Sequence, residues 1–129
     1  MPAIKQGLVP DSISTDLHTT SMVGGMKDML NVMSKFLNLG MSLQDVIMSS
    51  TWNPACEIKR PDLGHLDAGG AADLTVVSLR KGEFGFIDVG GGKMMGSQKL
   101  ECELTLRDGR VVWDLNGIAA PPWEKQPIR

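Results

Sequence analysis

The sequence has no tyrosine, only three phenylalanines, two cysteines and two histidines in 129 residues. Cys56 and Cys102 stand far apart with no CxxC pair, so neither a disulfide framework nor a thiolate zinc knuckle is written here. Two histidines and no HxH leave no histidine-rich metal centre within the chain. A formal net charge of −2 gives no electrostatic footprint for nucleic acid or for an anionic membrane. No apolar run approaches the roughly 20 residues that a spanning helix needs, and the N-terminus carries no apolar run of signal-peptide length. These features imply free thiols in a reducing cytoplasm and a length suited to one modest domain. What is abundant instead is methionine, nine residues, an adaptable filler that suits a helical core.

The stretch Ile13-Ser14-Thr15-Asp16-Leu17-His18 organises the rest. Ile13 and Thr15 are β-branched, which suits a buried strand over Ser12–Thr15 that Asp16 terminates. A short strand that delivers a carboxylate at its C-terminal end is how α/β barrels present a catalytic acid. Asp16 can take a proton from a water or give an oxygen to a cation, and Asp also favours turns through its own backbone. Before this strand, Pro2–Gln6 and Gly7 read as the last turn of a helix with its glycine cap. After it, Thr19–Gly25 is a polar loop in which Gly24-Gly25 allows either close approach of a ligand or a flexible turn.

Met26 to Leu39 carries Met26, Met29, Leu30, Met33, Phe36 and Leu37 at three- and four-residue spacing, which predicts an amphipathic helix ended by Gly40. Ser42 with Asp45 starts a second helix through Leu43, Val46, Ile47 and Met48. Asn53-Pro54 signals a third, as N-cap and first helical residue. From about Pro61 the pattern turns to β: Leu63–Leu66, Leu74–Leu79 and Phe84–Val89, with Gly90-Gly91-Gly92 as a loose hairpin connection. Leu100, Cys102, Leu104 and Leu106 alternate with polar residues, and Asp108-Gly109 then predicts a type I′ turn into Arg110–Trp113. Asn116–Arg129, with three prolines, reads as an extended tail.

The order of these parts resembles the C-terminal third of the amidohydrolase superfamily, nearest its dihydroorotase-like and deacetylase-like members. The residues that carry the resemblance are Ser14–His18, then Ser50-Thr51-Trp52-Asn53-Pro54-Ala55, then Leu63-Gly64-His65-Leu66 through Gly69-Gly70-Ala71-Ala72-Asp73 to Val77. In that family the final strand of a (β/α)8 barrel delivers an aspartate, an "(S/T)xNPA" helix follows, and a "G-x-L…AD" segment re-enters a small β-sandwich. The resemblance therefore implies an α+β chain: the last strand and helices of the barrel over residues 1–62, part of the sandwich over 63–117, and a tail over 118–129. It implies hydrolysis of amide or cyclic amide C–N bonds in small molecules with one or two divalent metals, usually zinc.

By the same resemblance Asp16 is a metal ligand and general base, and His18, Gly24 and Gly25 lie near substrate. His65 belongs to the sandwich junction and is structural. The metal ligands of the earlier strands are missing, and three ligands with an open position is the least a catalytic zinc site uses. Two readings follow. The chain is a portion of a metal-dependent hydrolase, inactive by itself and binding no metal alone, or it is a non-catalytic structural or binding module. Unpaired strand edges and a methionine-rich face predict a homo-oligomer. Cys56 on the NPA helix and Cys102 on an inward strand face are both expected to be buried and reduced.

Overall fold

A computed structural model describes residues 2–125. Five short helices precede one antiparallel sheet: α1 Pro2–Lys5, α2 Thr19–Val23, α3 Met29–Asn38, α4 Leu43–Met48 and α5 Trp52–Glu57, then β1 Leu74–Ile87, β2 Lys93–Arg107 and β3 Arg110–Asp114. The strands lie in the order β1-β2-β3, and a 3₁₀ turn at Trp123–Lys125 follows. The chain is α+β, with a single three-stranded sheet among the described residues.

Helix α3 is the hub. Its first turn is capped by the Asp28 side chain, which accepts from the Asn31 amide at 2.7 Å, so the helix starts at Met29 rather than Met26. Val32, Met33 and Leu37 are buried on its inner face, beside Ile13, Met41, Val46 and Leu100. Ser34, also fully buried, donates to the Leu30 carbonyl and accepts from the Leu100 amide at 2.9 Å. One turn on, the Asn38 amide group donates to the Ser34 and Gln98 carbonyls and accepts from the Ser97 and Gln98 amides. A Cβ at Gly96 would fall on that side chain, so glycine is what lets β2 come this close.

Several expectations need correction. Ser12–Thr15 forms no strand, because a strand exists only by pairing and among the described residues no segment runs beside it. The segment is held sideways instead: the Ile13 amide donates to the Ser49 carbonyl at 2.7 Å, Ser49 Oγ donates to the Pro10 carbonyl at 3.0 Å, and Asn53 Nδ2 donates to the Asp11 carbonyl at 2.8 Å. Asn53 is thereby committed as a strut and does not cap. Helix α5 begins two residues earlier, at Trp52, with Thr51 before it making no side-chain cap. Leu63–Leu66 is no strand but a bend at Leu63-Gly64 followed by irregular backbone: Gly64, at φ +75°, lies so close to Thr51 that a Cβ would meet its carbonyl oxygen at 2.7 Å. Leu74–Leu79 and Phe84–Ile87 merge into the one strand β1, with Asp88 and Val89 beyond its end, and β1 has irregular register between Val76 and Val77 and between Lys81 and Phe84.

The hairpin is as expected. Asp108 and Gly109 both have positive φ, +50° and +70°, between the paired Arg107 and Arg110. Its turn is tied to the preceding segment: the Asp108 amide donates to Asp73 Oδ1 at 2.7 Å and the Gly109 amide to the Ala72 carbonyl at 2.9 Å. The Ala72-Asp73 pair of the family motif therefore clamps this turn. Cys56 is exposed, since Ala55 takes the inward position of α5, and Cys102 is half-buried with its sulfur 3.2 Å from Thr105 Oγ1. The expected tail is a turn and the 3₁₀ segment up to Lys125, and residues 126–129 lie outside the described residues.

Candidate functional site

Asp16 sits at the bend between the Ile13 anchor and α2, with its backbone at φ +47°, the left-handed region that a non-glycine residue enters at a cost. The turn is closed by hydrogen bonds to one hydroxyl. Ser21 Oγ donates to the Asp16 carbonyl at 2.9 Å and accepts from the His18 amide at 2.8 Å, while the His18 carbonyl lies 3.2 Å from the same oxygen. Upstream, the Leu17 amide donates to Thr15 Oγ1 at 3.2 Å. Asp16 and His18 are exposed, and Ser21 is buried. The His18 ring reaches Thr20 Oγ1 through Nδ1 at 2.9 Å, a hydrogen bond within the loop, which leaves Nε2 for another partner.

Gly24 and Gly25 follow α2. The close approach that Gly25 permits is to its own chain: a Cβ there would fall on the Ile87 carbonyl oxygen and lie 2.8 Å from Asp88 Cα. Lys35 fastens the same contact from α3, its Nζ donating to the Gly25 carbonyl and, at 2.8 Å, to the Ile87 carbonyl. Its pKa is lowered, first by burial, with Asp88 opposing. Gly24 is looser, its nearest neighbour being the Thr20 carbonyl oxygen at 3.5 Å from an added Cβ. The expected loop over Thr19–Gly25 is thus mostly helix: Asp16 and His18 precede α2, Gly24 and Gly25 follow it, and this far end is docked on the end of β1.

Sequence reasoning passed over Ser21 and Lys35. The available signal for Ser21 was its place three residues after His18, the spacing at which a side chain reaches back to a helix N-cap amide. Lys35 gave none, being one lysine on the polar side of α3. His65 behaves as expected of a structural residue: its ring packs edge-on against Trp52 at 5.9 Å, and Nδ1 accepts from the Asp67 amide at 3.2 Å. A large hollow lies elsewhere, between α3, α4 and the sheet, walled by Met33, Trp52, His65, Phe84 and Leu100. None of Asp16, His18, Gly24 or Gly25 lines it.

Among the described residues no three His, Cys, Asp or Glu side chains cluster as a metal would require. Asp16 with His18 offers at most two donors, so the residues present do not by themselves fit a catalytic divalent metal.

Against known proteins, the profile of the amidohydrolase family matches residues 2–112. The chain belongs to that family. A deacetylase of Brucella anthropi and one of Agrobacterium fabrum are each 44% identical to it over 77 residues, which is 60% of this chain and 19% of theirs. A deacetylase of Enterococcus faecalis is 26% identical over 110 residues, 84% of this chain and 30% of that protein. A solved dihydroorotase superposes with a TM-score of 0.79 at 33% identity, and a solved adenine deaminase with 0.81 at 25%; each match covers 88% of this chain and 31% of the other. The chain spans less than a third of the length of each of these proteins. Amidohydrolases are in general metal-dependent.

Proposed function

We propose that this chain is the C-terminal portion of an amidohydrolase that hydrolyses amide or cyclic amide C–N bonds in small molecules, with Asp16 as its reacting carboxylate. The observation that supports this is the Asp16 turn, an exposed carboxylate on a positive-φ residue within a segment matched by the family profile. On this reading the segment at Ser12–Thr15 is the last strand of a (β/α)8 barrel and the sheet is one part of a β-sandwich. Asp16 takes a proton from the attacking water and returns it to the departing nitrogen. His18 and Gly24 lie along the substrate, and Gly25 docks their loop on the end of β1. Asp16 is also a metal ligand in the whole protein, where the remaining donors for a divalent metal, zinc foremost, come from polypeptide outside these 129 residues.

By itself the chain is inactive: with zinc or manganese supplied, it should not hydrolyse dihydroorotate, hydantoins or N-acyl amino acids. Turnover that disappears in Asp16→Ala would refute this. The parent activity is tested in a chimera, with this chain replacing the 110-residue aligned part of the Enterococcus faecalis deacetylase. Deacetylation should survive the exchange and be abolished by Asp16→Asn; survival in that variant would remove Asp16 from the reaction. The chain should also self-associate, since β1 and β3 each leave one edge unpaired and Val111, Val112 and Trp113 are exposed. Light scattering at micromolar concentration should give a dimer or larger, and a monomer mass would refute it.

A further inference from the structure

We propose that Ser21 is the positioning residue of Asp16, holding that residue's backbone in the left-handed turn from which its carboxylate is presented. The proposal rests on the reading of Asp16 given above and adds to it the group that fixes its geometry.

The argument begins with a cost. A non-glycine residue at φ +47° persists only where its surroundings over-determine it. The Asp16 carboxylate is exposed and is not the source of the constraint. The constraint comes from Ser21, whose single hydroxyl is placed to satisfy both sides of the bend. Its proton goes to the Asp16 carbonyl at 2.9 Å, the shorter of two acceptors, and its lone pair takes the His18 amide at 2.8 Å. A donor and an acceptor two residues apart are thus closed on one atom, which restrains the two peptides on either side of Leu17. Ser21 is buried, so water does not readily substitute for that atom. It is itself carried on α2, where the Gly24 amide donates to its carbonyl at 3.2 Å. The path from fold to carboxylate is α2, then the hydroxyl, then the Asp16 peptide. Alanine removes the side-chain atom that, among the described residues, is hydrogen-bonded to both Asp16 and His18.

The first test is nuclear magnetic resonance on the isotope-labelled full chain. A positive φ brings the amide and Hα protons of one residue together, so Asp16 should show a strong intraresidue cross-peak between them. Ser21→Ala should reduce that cross-peak to the level of ordinary loop residues while the α3 signals of Val32 and Leu37 stay in place. Ser21→Thr, which keeps the hydroxyl, should retain it. If Ser21→Ala disturbs α3, Ser21→Cys carries the test, since it keeps the side-chain volume and weakens only the hydrogen bonding; it too should lose the cross-peak. An Asp16 cross-peak unchanged in both the Ala and Cys variants would overturn the proposal. In the chimera, Ser21→Ala should lower kcat about tenfold or more with KM little changed, the pattern of a misplaced reacting group, and Ser21→Thr should restore it. An unchanged kcat would also overturn it. Failure of the Asp16→Asn test leaves the backbone measurement standing, so the two ideas fail separately.

Discussion

The helical half of the molecule and its sheet are built from similar amounts of apolar sequence, yet only one of them makes a core. Residues 13–55 bury Ile13, Val32, Met33, Leu37, Met41, Val46 and Ala55, whereas the three strands bury Phe86 and Leu100 alone. Val76, Leu79, Val111, Val112 and Trp113 on the strands remain exposed. The difference lies in the cover. Helix α4 packs on α3 and on α5, and the Ile13 segment joins them, while the sheet meets the helices chiefly where α3 crosses β2, with Lys35 and Gly25 reaching the end of β1 at Ile87. Alternation along a strand names a face, and burial requires something to lie on that face.

The largest expected effect breaks this contrast at its joint. Leu100 is 2% exposed, at the point where β2 meets α3, and Leu100→Ala should cost about 2–5 kcal/mol of stability. Val112→Ala, on the 58% exposed side chain of β3, should cost under about 0.5 kcal/mol. Denaturant melts of the two variants measure the contrast directly. Equal losses would mean that the sheet is covered along its length, for example in an oligomer.

The next effect sharpens the comparison on the sheet side, where backbone geometry stands in for burial. Gly109→Val places a β-branched side chain at φ +70° and should destabilise by about 1–3 kcal/mol. It should also weaken the clamp to Ala72 and Asp73, read as faster exchange of the Asp108 and Gly109 amides. A melting temperature equal to the parent's would show that this turn is not under constraint.

These two variants also mark what was legible in the residues. The Asp108-Gly109 turn was, because a type I′ turn is decided by two neighbouring residues. So was the α3 stripe, because its 3.6-residue period is local. The Ser12–Thr15 strand was not, since pairing depends on a neighbour that a single segment cannot specify. Asn53 misled for a related reason: the same side chain that caps a helix can reach a distant carbonyl, here that of Asp11. For the site, Asp16 was expected at the end of a strand and Thr19–Gly25 as a loop, whereas Asp16 lies in a bend and Thr19–Val23 forms α2, because a five-residue helix leaves no apolar period to read. The hydroxyl of Ser21 and the ammonium of Lys35 were not foreseen, because each acts through backbone carbonyls that leave no trace in the pattern of side chains.

A smaller effect separates the two halves by their thiols. Cys56 is exposed on α5 and Cys102 is half-buried on β2, with its sulfur against Thr105. A maleimide reagent should label Cys56 rapidly and Cys102 more slowly in the native protein, with the difference lost in denaturant. Equal rates would show that β2 opens as readily as the surface of α5.

The smallest effect lies at the far end of the sheet, where the Asp114 carboxylate holds the turn after β3. Its two oxygens accept from the Ile118 and Ala119 amides, each at 2.9 Å, and the bond from Ala119 is the first cause that lowers its pKa. A carboxyl whose folded pKa lies below its unfolded value contributes its stability fully above the ordinary carboxylate range. That contribution is lost as pH falls through the range toward the folded pKa. Acidification should therefore loosen the turn at 114–119 first, and raise the exchange rates of the Ile118 and Ala119 amides relative to those of α3. Asp114→Asn should produce the same loosening at neutral pH and flatten the acid dependence. Because the group is at the solvent boundary, the global melting temperature should move little, and the signal is local exchange. If acid loosens α3 before this turn, the sheet end is held by its backbone pairing rather than by the carboxylate.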